Sequence, residues 1–359
     1  MKNKLTYFAL ISGILLLLIG SVKGAITGMS SVSFFFIGGF SLMAISFHGF
    51  ATLKGFSFTL WVLTAVTTSF YFPQLFTGIG DFSFRQLIIP LLQMIMFGVG
   101  STMGLNDFVG VIKMPKGVLI GLACHFTIMP VVGYSLAKIF GFPPEIAAGI
   151  ILVGSVPCGL ASNVMSYLAN ANVALSVTLT AVGTLMAPLV TPLLMQTLAG
   201  AYVKVEFWAM MWDITKIVII PVAAGLAFHY FLSSKFTWLN KVMPILSMVS
   251  IAAIITVITA AGHESLVSVG WLLVLACFLH NSLGFLLGYG ACKLLRMDER
   301  SCRTIAIEVG LQNAGLASGL ALGMGKIATV GLAPAIFGPL MNVTGSSLAT
   351  WWHNRPVKD

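Results

Sequence analysis

The stretch EVGLQNAGLA, Glu308–Ala317, places one carboxylate beside two amides and two glycines. It lies within a long apolar run, where an ionised side chain is expensive and by default marks a functional site. The glycines Gly310 and Gly315 weaken a helix at the same point. The stretch therefore predicts a polar site built into an interrupted helix inside a membrane.

The composition of the whole chain agrees with a membrane protein. Of its 359 residues, 58% are hydrophobic and 8% are charged, whereas soluble domains carry about 25% charged residues. The net charge is +9, but Lys and Arg stand singly in short gaps rather than in aromatic-rich basic clusters, so no nucleic acid partner is expected. We therefore expect an all-α polytopic protein whose partner is the lipid bilayer.

The sequence carries no motif that indicates an enzyme. A phosphate-binding loop, a His-Glu-x-x-His pair and a nucleophile elbow are all missing from it. The five cysteines lack metal-ligand spacing and lie mostly in or beside apolar runs, which predicts small buried hydrophobic side chains, Cys158 among them. We expect no enzymatic activity.

Twelve segments are apolar enough to span a membrane, which takes about 20 residues each. They are 5–22, 31–51, 57–75, 86–105, 117–138, 145–169, 173–199, 206–231, 241–261, 267–292, 303–325 and 328–352. An even number of spans puts both termini on one side. If that side is the cytoplasm, thirteen Lys and Arg residues lie inside and five outside, as the positive-inside rule requires.

The first segment also resembles a signal peptide, because Lys2 and Lys4 precede its apolar run. The small-residue cleavage site that a signal peptide needs is poorly formed around residues 22–25. We therefore expect a retained helix, although the other segments keep their orientation in either case.

The sixth segment is interrupted like the eleventh. It contains GSVPCGLASNVMSYL, in which Pro157 and Gly159 break a helix and Ser162 and Asn163 follow the break. When the first two segments are set aside, the breaks fall in the fourth helix of each of two five-helix halves. Backbone groups freed in a membrane must face protein, ions or water. Paired breaks in inverted repeats indicate the binding site of a transporter, whereas two unrelated kinks are the alternative.

The polar side chains near the two breaks suit a hard cation, which prefers carboxylate, amide and hydroxyl oxygens. In the next segment Ser176 and Thr180 lie one turn apart on the same helical face. By themselves these hydroxyls are better explained by hydrogen bonds to their own helix. One sodium ion would be matched by the side-chain oxygens of Ser162, Asn163, Ser176, Thr180 and Glu308.

The chain resembles the bile acid:sodium symporter (BASS) family, and in particular its bacterial, ASBT-like branch. The resemblance runs from Phe56 to Trp352, and the Ser-Asn of the sixth segment and the Glu-x-Gly-x-Gln-Asn of the eleventh carry it most specifically. The other matching stretches are MFGVGSTM (Met96–Met103), FTIMP (Phe126–Pro130), LHNSLGFLLGY (Leu279–Tyr289) and TGSSLATWW (Thr344–Trp352).

The resemblance implies a ten-helix inverted-repeat (5+5) transporter core with two discontinuous crossing helices. Two extra N-terminal helices, residues 1–55, would precede the symporter unit 56–354, and 355–359 would be a tail. Within the unit, the panel domain would comprise about 56–106 and 206–261, and the core domain about 117–200 and 266–354. The extra hairpin would pack on the panel side or form a dimer contact, and the choice between monomer and dimer stays open.

The resemblance also implies where two sodium ions and a substrate bind. The first sodium site falls on the five residues named above. The second falls on Glu308, the backbone of Val309 and Leu311, Gln312 and the position occupied by His125. The substrate cavity would be bordered by Asn313, Asn342, Pro157 and Gly159.

His125 is the main departure from the family pattern, which has a glutamine directly before FTIMP. An imidazole nitrogen is a poor sodium ligand, so the second site could be weakened, His125 could bind the ligand or substrate, or a proton could replace one ion. A packed histidine bonded to a neighbouring carbonyl is the remaining alternative. The family's Cys-Pro-Gly-Gly is also shifted here to Val156-Pro157-Cys158-Gly159.

These features predict a secondary active transporter that uses alternating access in a multi-pass cell membrane, for which a bacterial inner membrane is expected. Its cargo would be an organic anion, either bile-acid-like or a small carboxylate such as pantoate, and two sodium ions would drive it. The alternative is a proton-coupled or single-sodium carrier on the same fold.

Two pairs elsewhere are expected to be structural. Asp213 and Lys216 can form an ion pair on one helical face. His280 and Asn281 lie within an apolar segment and are expected to form hydrogen bonds between helices.

Overall fold

The computed structural model describes residues 2–28, 31–50, 56–104, 107, 109–232, 238–355 and 357, and these are almost entirely helical. The predicted linker 51–55, much of the predicted tail, and Lys54, Lys235 and Lys358 of the charge count lie outside the described residues. The helices are α1 (Lys2–Thr27), α2 (Ser33–Gly49), α3 (Ser57–Tyr71), α4 (Ile88–Thr102), α5 (Gly110–Lys113), α6 (Pro115–Phe140), α7 (Pro144–Ser155), α8 (Ala161–Leu168), α9 (Val173–Leu194), α10 (Phe207–Ile214), α11 (Ile220–Leu232), α12 (Leu239–Ala261), α13 (His263–Leu294), α14 (Glu299–Gly310), α15 (Ala314–Gly323) and α16 (Leu332–His353).

Every predicted span contains helix, which confirms an all-α polytopic architecture. Among the described residues, 6 helices are long and apolar enough to cross a membrane by themselves. The π-helical turn Thr215–Ile219 joins α10 to α11 within one of these spans. Between α3 and α4 the chain forms a small antiparallel hairpin of β1 (Gly78–Ile79) and β2 (Phe82–Ser83), which the sequence did not predict.

The two predicted breaks are present. Residues 156–160 separate α7 from α8, and residues 311–313 separate α14 from α15. The backbone is extended at Val156, directly after α7, and at Leu311, directly after α14. Cys158 and Gln312 form an isolated antiparallel β-bridge, and the backbone N–H of Asn313 donates to the Pro157 carbonyl at 2.9 Å. The unwound segments therefore satisfy each other's backbone groups, as a membrane interior requires.

The N-terminal helices α1 and α2 pack against each other, and α2 packs against α3. The backbones of α1 and α2 lie close together at Gly13, where an added Cβ would be 2.9 Å from the Gly39 carbonyl oxygen. Small residues of this kind let membrane helices approach each other. The Ser57 hydroxyl at the start of α3 donates to the Ala44 carbonyl of α2 at 2.8 Å. The hairpin thus lies on the side of the predicted panel domain.

The predicted panel helices pack together, α4 against α11 and α12 against α3 and α4. The α4–α11 contact is reciprocal and tight. A Cβ on Gly100 would lie 2.1 Å from the Val222 carbonyl oxygen, and one on Gly225 would lie 2.1 Å from that of Phe97. These two helices therefore meet backbone to backbone, and no larger side chain fits between them. The division into panel and core domains stays a prediction.

Replacing Gly100 by alanine tests this contact. We expect Gly100→Ala to lower the free energy of unfolding by about 1–3 kcal/mol, because the added methyl group forces the two helices apart. Gly290→Ala in α13 is the matched control, since a Cβ there meets nothing within 4 Å. The measurement is thermal unfolding of the purified protein in detergent. Equal stability of the two variants would contradict the tight contact.

Candidate functional site

Glu308 lies deep in the protein at the last turns of α14, with 1% of its surface exposed. Three donors face its carboxylate, two from α9 and one from the first break. The Ser176 hydroxyl donates to Oε1. The Thr180 hydroxyl lies 3.3 Å and the Cys158 thiol 2.6 Å from Oε2. None of the ion pairs between described residues includes Glu308, so its charge is met by neutral donors alone.

Asn163 and Ser162 complete the group. The Asn163 Oδ1 lies 2.8 Å from the Ser176 hydroxyl oxygen and 3.2 Å from that of Thr180. Each hydroxyl has a single hydrogen, so Ser176 donates to the carboxylate and Thr180 donates either to Asn163 or to Glu308. The Ser162 hydroxyl lies 3.4 Å from that of Thr180 and donates to the Gly159 carbonyl at 2.8 Å. The structure thus brings together all five residues of the first predicted sodium site. We name them the carboxylate cluster: Ser162, Asn163, Ser176, Thr180 and Glu308.

Local structure explains why the cluster forms. Ser162 and Asn163 lie in the first turn of α8, directly after the break that Pro157 imposes. Ser176 and Thr180 are one turn apart in α9 and therefore point the same way. Their hydroxyls face the cluster rather than only their own helix, so the alternative of purely local hydrogen bonds is wrong for this pair.

The chemistry of the cluster suits a hard monovalent cation. Its side chains offer carboxylate, amide and hydroxyl oxygens and carry a single formal charge when Glu308 is ionised. Hard cations prefer oxygen ligands of this type, whereas soft metals prefer sulfur ligands. A cation among these oxygens would also balance the buried carboxylate, whose ionised form is otherwise expensive inside the membrane.

Cys158 is the one neighbour of the carboxylate that the sequence reasoning missed. It is buried, as predicted, but its thiol donates to Glu308 and lies 3.5 Å from the Thr180 hydroxyl. The interpretation as a merely hydrophobic side chain is therefore incomplete. The available signal was its position inside the first break, next to Pro157, where side chains face the crossing.

The second predicted sodium site is arranged differently. The ring of His125 is buried and bridges the two broken segments, with Nδ1 3.0 Å from the Glu308 carbonyl oxygen and Nε2 2.9 Å from that of Val156. A neutral imidazole has one N–H, so only one of these carbonyls can accept a hydrogen bond from it. The structure thus places His125 in the packed, carbonyl-bonded arrangement that the sequence left open.

The rest of the second set follows Glu308 along the chain. The Gln312 amide nitrogen donates to the Val309 carbonyl at 2.7 Å, and Leu311 is buried with its amide bonded to Ile307. Among the described residues, the Gln312 Oε1 is buried and has no hydrogen-bond partner. This oxygen is the free acceptor that a cation or a water molecule would use.

Three of the four residues predicted to border a substrate cavity lie at the crossing of the broken segments, and the fourth, Asn342, lies in α16. Pro157 and Gly159 lie in the first break, and the Asn313 Oδ1 caps α15 by accepting from Leu316 at 3.0 Å. The Asn342 amide donates to Gly338 in its own helix at 3.0 Å. A largely apolar cavity of about 510 Å³ opens between α2, α3, α12, α13 and α16, and none of the four lines it. The substrate cavity therefore stays a prediction.

Two residues of α13 form hydrogen bonds to other helices, and one of them, Asn281, binds the end of α14 at the second break. The Asn281 amide donates to the Gly310 carbonyl at 2.8 Å and its oxygen accepts from the Thr344 hydroxyl, while His280 bonds the Met129 carbonyl at 2.9 Å. These contacts confirm the predicted hydrogen bonds between helices. The predicted Asp213–Lys216 ion pair is also present, at 2.8 Å.

Removing the Asn281 side chain tests this support. Asn281→Ala leaves the buried Gly310 carbonyl without its side-chain donor, whereas the Thr344 hydroxyl keeps acceptors in its own helix, so we expect the free energy of unfolding to fall by about 1–3 kcal/mol. Ser347→Ala is the control, because that hydroxyl is exposed and bonds only its own helix. Unfolding in detergent reports both variants. An unchanged stability of Asn281→Ala would show that the second break does not need this contact.

Comparison with known proteins agrees with this geometry. Residues 89–269 match the family model of the Sodium Bile acid symporter family. The chain is 40% identical to YocS of Bacillus subtilis, named an uncharacterized sodium-dependent transporter, over 85% of this chain and 93% of that protein. It is 33% identical to BASS1 of Arabidopsis thaliana, named a probable chloroplastic sodium/metabolite cotransporter, over 84% of this chain and 74% of that protein.

A third relative gives the same result. BASS2 of Oryza sativa subsp. japonica, also named a probable chloroplastic sodium/metabolite cotransporter, is 31% identical over 84% of this chain and 72% of that protein. The family model covers the first break and the helices α8 and α9. The chain therefore belongs to the sodium bile acid symporter family, a family of membrane transporters rather than enzymes.

Proposed function

We propose that this protein is a secondary active transporter that couples the entry of sodium ions to uptake of a small organic anion by alternating access. The observation that carries the proposal is the buried carboxylate of Glu308, which faces the Ser176 and Thr180 hydroxyls of α9 and the Cys158 thiol of the first break. Paired broken helices with polar side chains at their crossing are the usual site of substrate and coupling ions in such carriers. The names of the relatives support sodium as the ion.

The first sodium ion would bind the carboxylate cluster. Its oxygens come from α8, α9 and α14, so one ion would connect two neighbouring helices with a third that lies more than 100 residues further along the chain. Without a cation, the ionised Glu308 is an unbalanced charge that disfavours an occluded, water-free state. Sodium binding would neutralise this charge and allow the core to move as one body. That requirement links ion binding to transport.

The number of ions sets how strongly the carrier can concentrate its cargo. Each sodium ion contributes about 1.4 kcal/mol for a tenfold gradient and about 2.3 kcal/mol for each 100 mV of membrane potential. With a monoanion moving inward against the potential, two ions leave about 5 kcal/mol. One ion leaves about 1.4 kcal/mol, because that cycle is electroneutral.

The substrate class proposed is an organic anion, bile-acid-like or a small carboxylate such as pantoate. Recognition would rest on amides, hydroxyls and freed backbone groups near Asn313, Asn342, Pro157 and Gly159. We further propose a bacterial inner membrane with both termini in the cytoplasm. The distribution of Lys and Arg supports that orientation.

Neutralising Glu308 tests the proposal. We expect Glu308→Gln to abolish sodium-driven uptake and the stabilisation of the purified protein by sodium, because the only ionised ligand of the cluster is lost. Glu206→Gln is the control, since that exposed carboxylate pairs with Lys204 at the surface. Uptake into vesicles, and thermal unfolding with sodium exchanged for choline, measure the two effects. Normal sodium-dependent uptake by Glu308→Gln would refute the proposal.

A second candidate is a carrier of the same fold that uses a single sodium ion, or a proton in place of the second. The position of His125 favours it, because both ring nitrogens already face carbonyl oxygens of the broken segments. The Val309 carbonyl is likewise engaged by the Gln312 amide. A second ion would have to displace these contacts. The orphaned Gln312 Oε1 is the feature that instead supports two ions.

Replacing His125 by the family's glutamine separates these candidates. If one sodium ion is bound, we expect a sodium Hill coefficient of about one for the native protein and a rise towards two in His125→Gln, which restores an amide oxygen. Uptake is measured against sodium concentration, with choline as the replacing cation and the pH held constant. A native coefficient near two would exclude the single-sodium carrier, and uptake in choline alone would favour the proton.

A further inference from the structure

A second polar contact joins α9 and α14, next to the carboxylate cluster. The Thr304 hydroxyl of α14 accepts a hydrogen bond from the backbone N–H of Asn172 at 2.9 Å and donates to the backbone carbonyl of Asn172 at 3.0 Å. Asn172 is the N-cap of α9, where its side chain accepts from the Leu175 amide at 3.1 Å. Thr304 is fully buried. One hydroxyl therefore makes both of its hydrogen bonds to the cap of the neighbouring helix.

This contact is in register with the cluster. Thr304 precedes Glu308 by one turn of α14, and Asn172 precedes Ser176 by one turn of α9, so each pair lies on one helical face. The two helices are thus joined at two successive levels, by Thr304 with Asn172 and by Glu308 with Ser176. A shift of α14 along α9 would break both levels together.

Arg303 holds the adjoining end of α8. Its guanidinium is buried and donates to the carbonyls of Ala169, the C-cap of α8, at 3.0 Å and of Trp352, near the end of α16, at 3.1 Å. The turn 169–172 between α8 and α9 is therefore fastened to α14 at both of its ends. The four other members of the carboxylate cluster flank this turn, two on each side.

We propose that Thr304 is a positioning residue for sodium binding. It sets the axial position of Glu308 relative to Ser176 and Thr180. The proposal rests on the proposed function, since it takes the carboxylate cluster as the sodium site. Thr304 does not touch the ion. It acts through the axial register of α14 and α9, and groups that orient metal ligands in this way strongly influence affinity.

The test compares Thr304→Val, which removes both hydrogen bonds at nearly constant volume, with Thr304→Ser, which keeps the hydroxyl. The half-saturating sodium concentration is measured by thermal stabilisation of the purified protein, with choline as the replacing cation, and by uptake. We expect Thr304→Val to raise it about tenfold, and Thr304→Ser to leave it near the native value. The maximal uptake rate at saturating sodium should be retained.

Thr256→Val is the matched control. Thr256 is also buried, but its hydroxyl donates only to Ala252 in its own helix, α12. We expect a native half-saturating sodium concentration in this variant, whatever its melting temperature without sodium. If Thr304→Val does not accumulate, Thr304→Ala takes its place with the same expected result.

Two outcomes would overturn the positioning role. One is a native half-saturating concentration in Thr304→Val, and the other is an equal change in Thr304→Val and Thr256→Val, which would reflect lost stability alone. Failure of the proposed function gives a different result. In that case the native protein itself would show no stabilisation by sodium, and Glu308→Gln would not differ from it.

Discussion

The structure depends on a single carboxylate held in the interior of a membrane protein by neutral donors. Ser176, Thr180 and Cys158 all face the Glu308 side chain, and they come from a helix and a break far from it in sequence. An ionised group in such a place is unfavourable unless it is well solvated by the protein or balanced by a cation. The same group therefore explains both why polar residues gather here and why an ion would bind here.

The breaks that make room for this group also have to be stable. The two unwound segments pair their backbone groups with each other, through the Cys158–Gln312 bridge and the Asn313–Pro157 hydrogen bond. The side chains of His125 and Asn281 engage further freed carbonyls. Interrupted helices are tolerated in membranes only where protein, ions or water satisfy the backbone. The crossing is thus a hydrogen-bonded structural unit as well as a candidate ion site.

Ion pairs and hydrogen bonds at the two ends of the broken helices add to this unit. At one end Glu145, in the first turn of α7, pairs with Lys326 and accepts from the Thr329 hydroxyl in the turn after α15. At the other end Arg303 and Thr304 of α14 bind the turn between α8 and α9. In the proposed alternating-access transport, such contacts would keep the half-helices together as one body.

Much of this arrangement could be predicted from the sequence, because hydropathy, proline and glycine act locally. The membrane class, the two breaks and the oxygen-bearing residues of the carboxylate cluster follow from them and from the family resemblance. The roles of Cys158, Thr304 and Arg303 could not be predicted, and neither could the two carbonyls that His125 faces. Each depends on contacts between residues far apart in the chain, as Thr304 and Asn172 are. Local chemistry determined which residues would be polar inside the membrane, whereas helix packing decided which of them meet, because only packing sets the register between neighbouring helices.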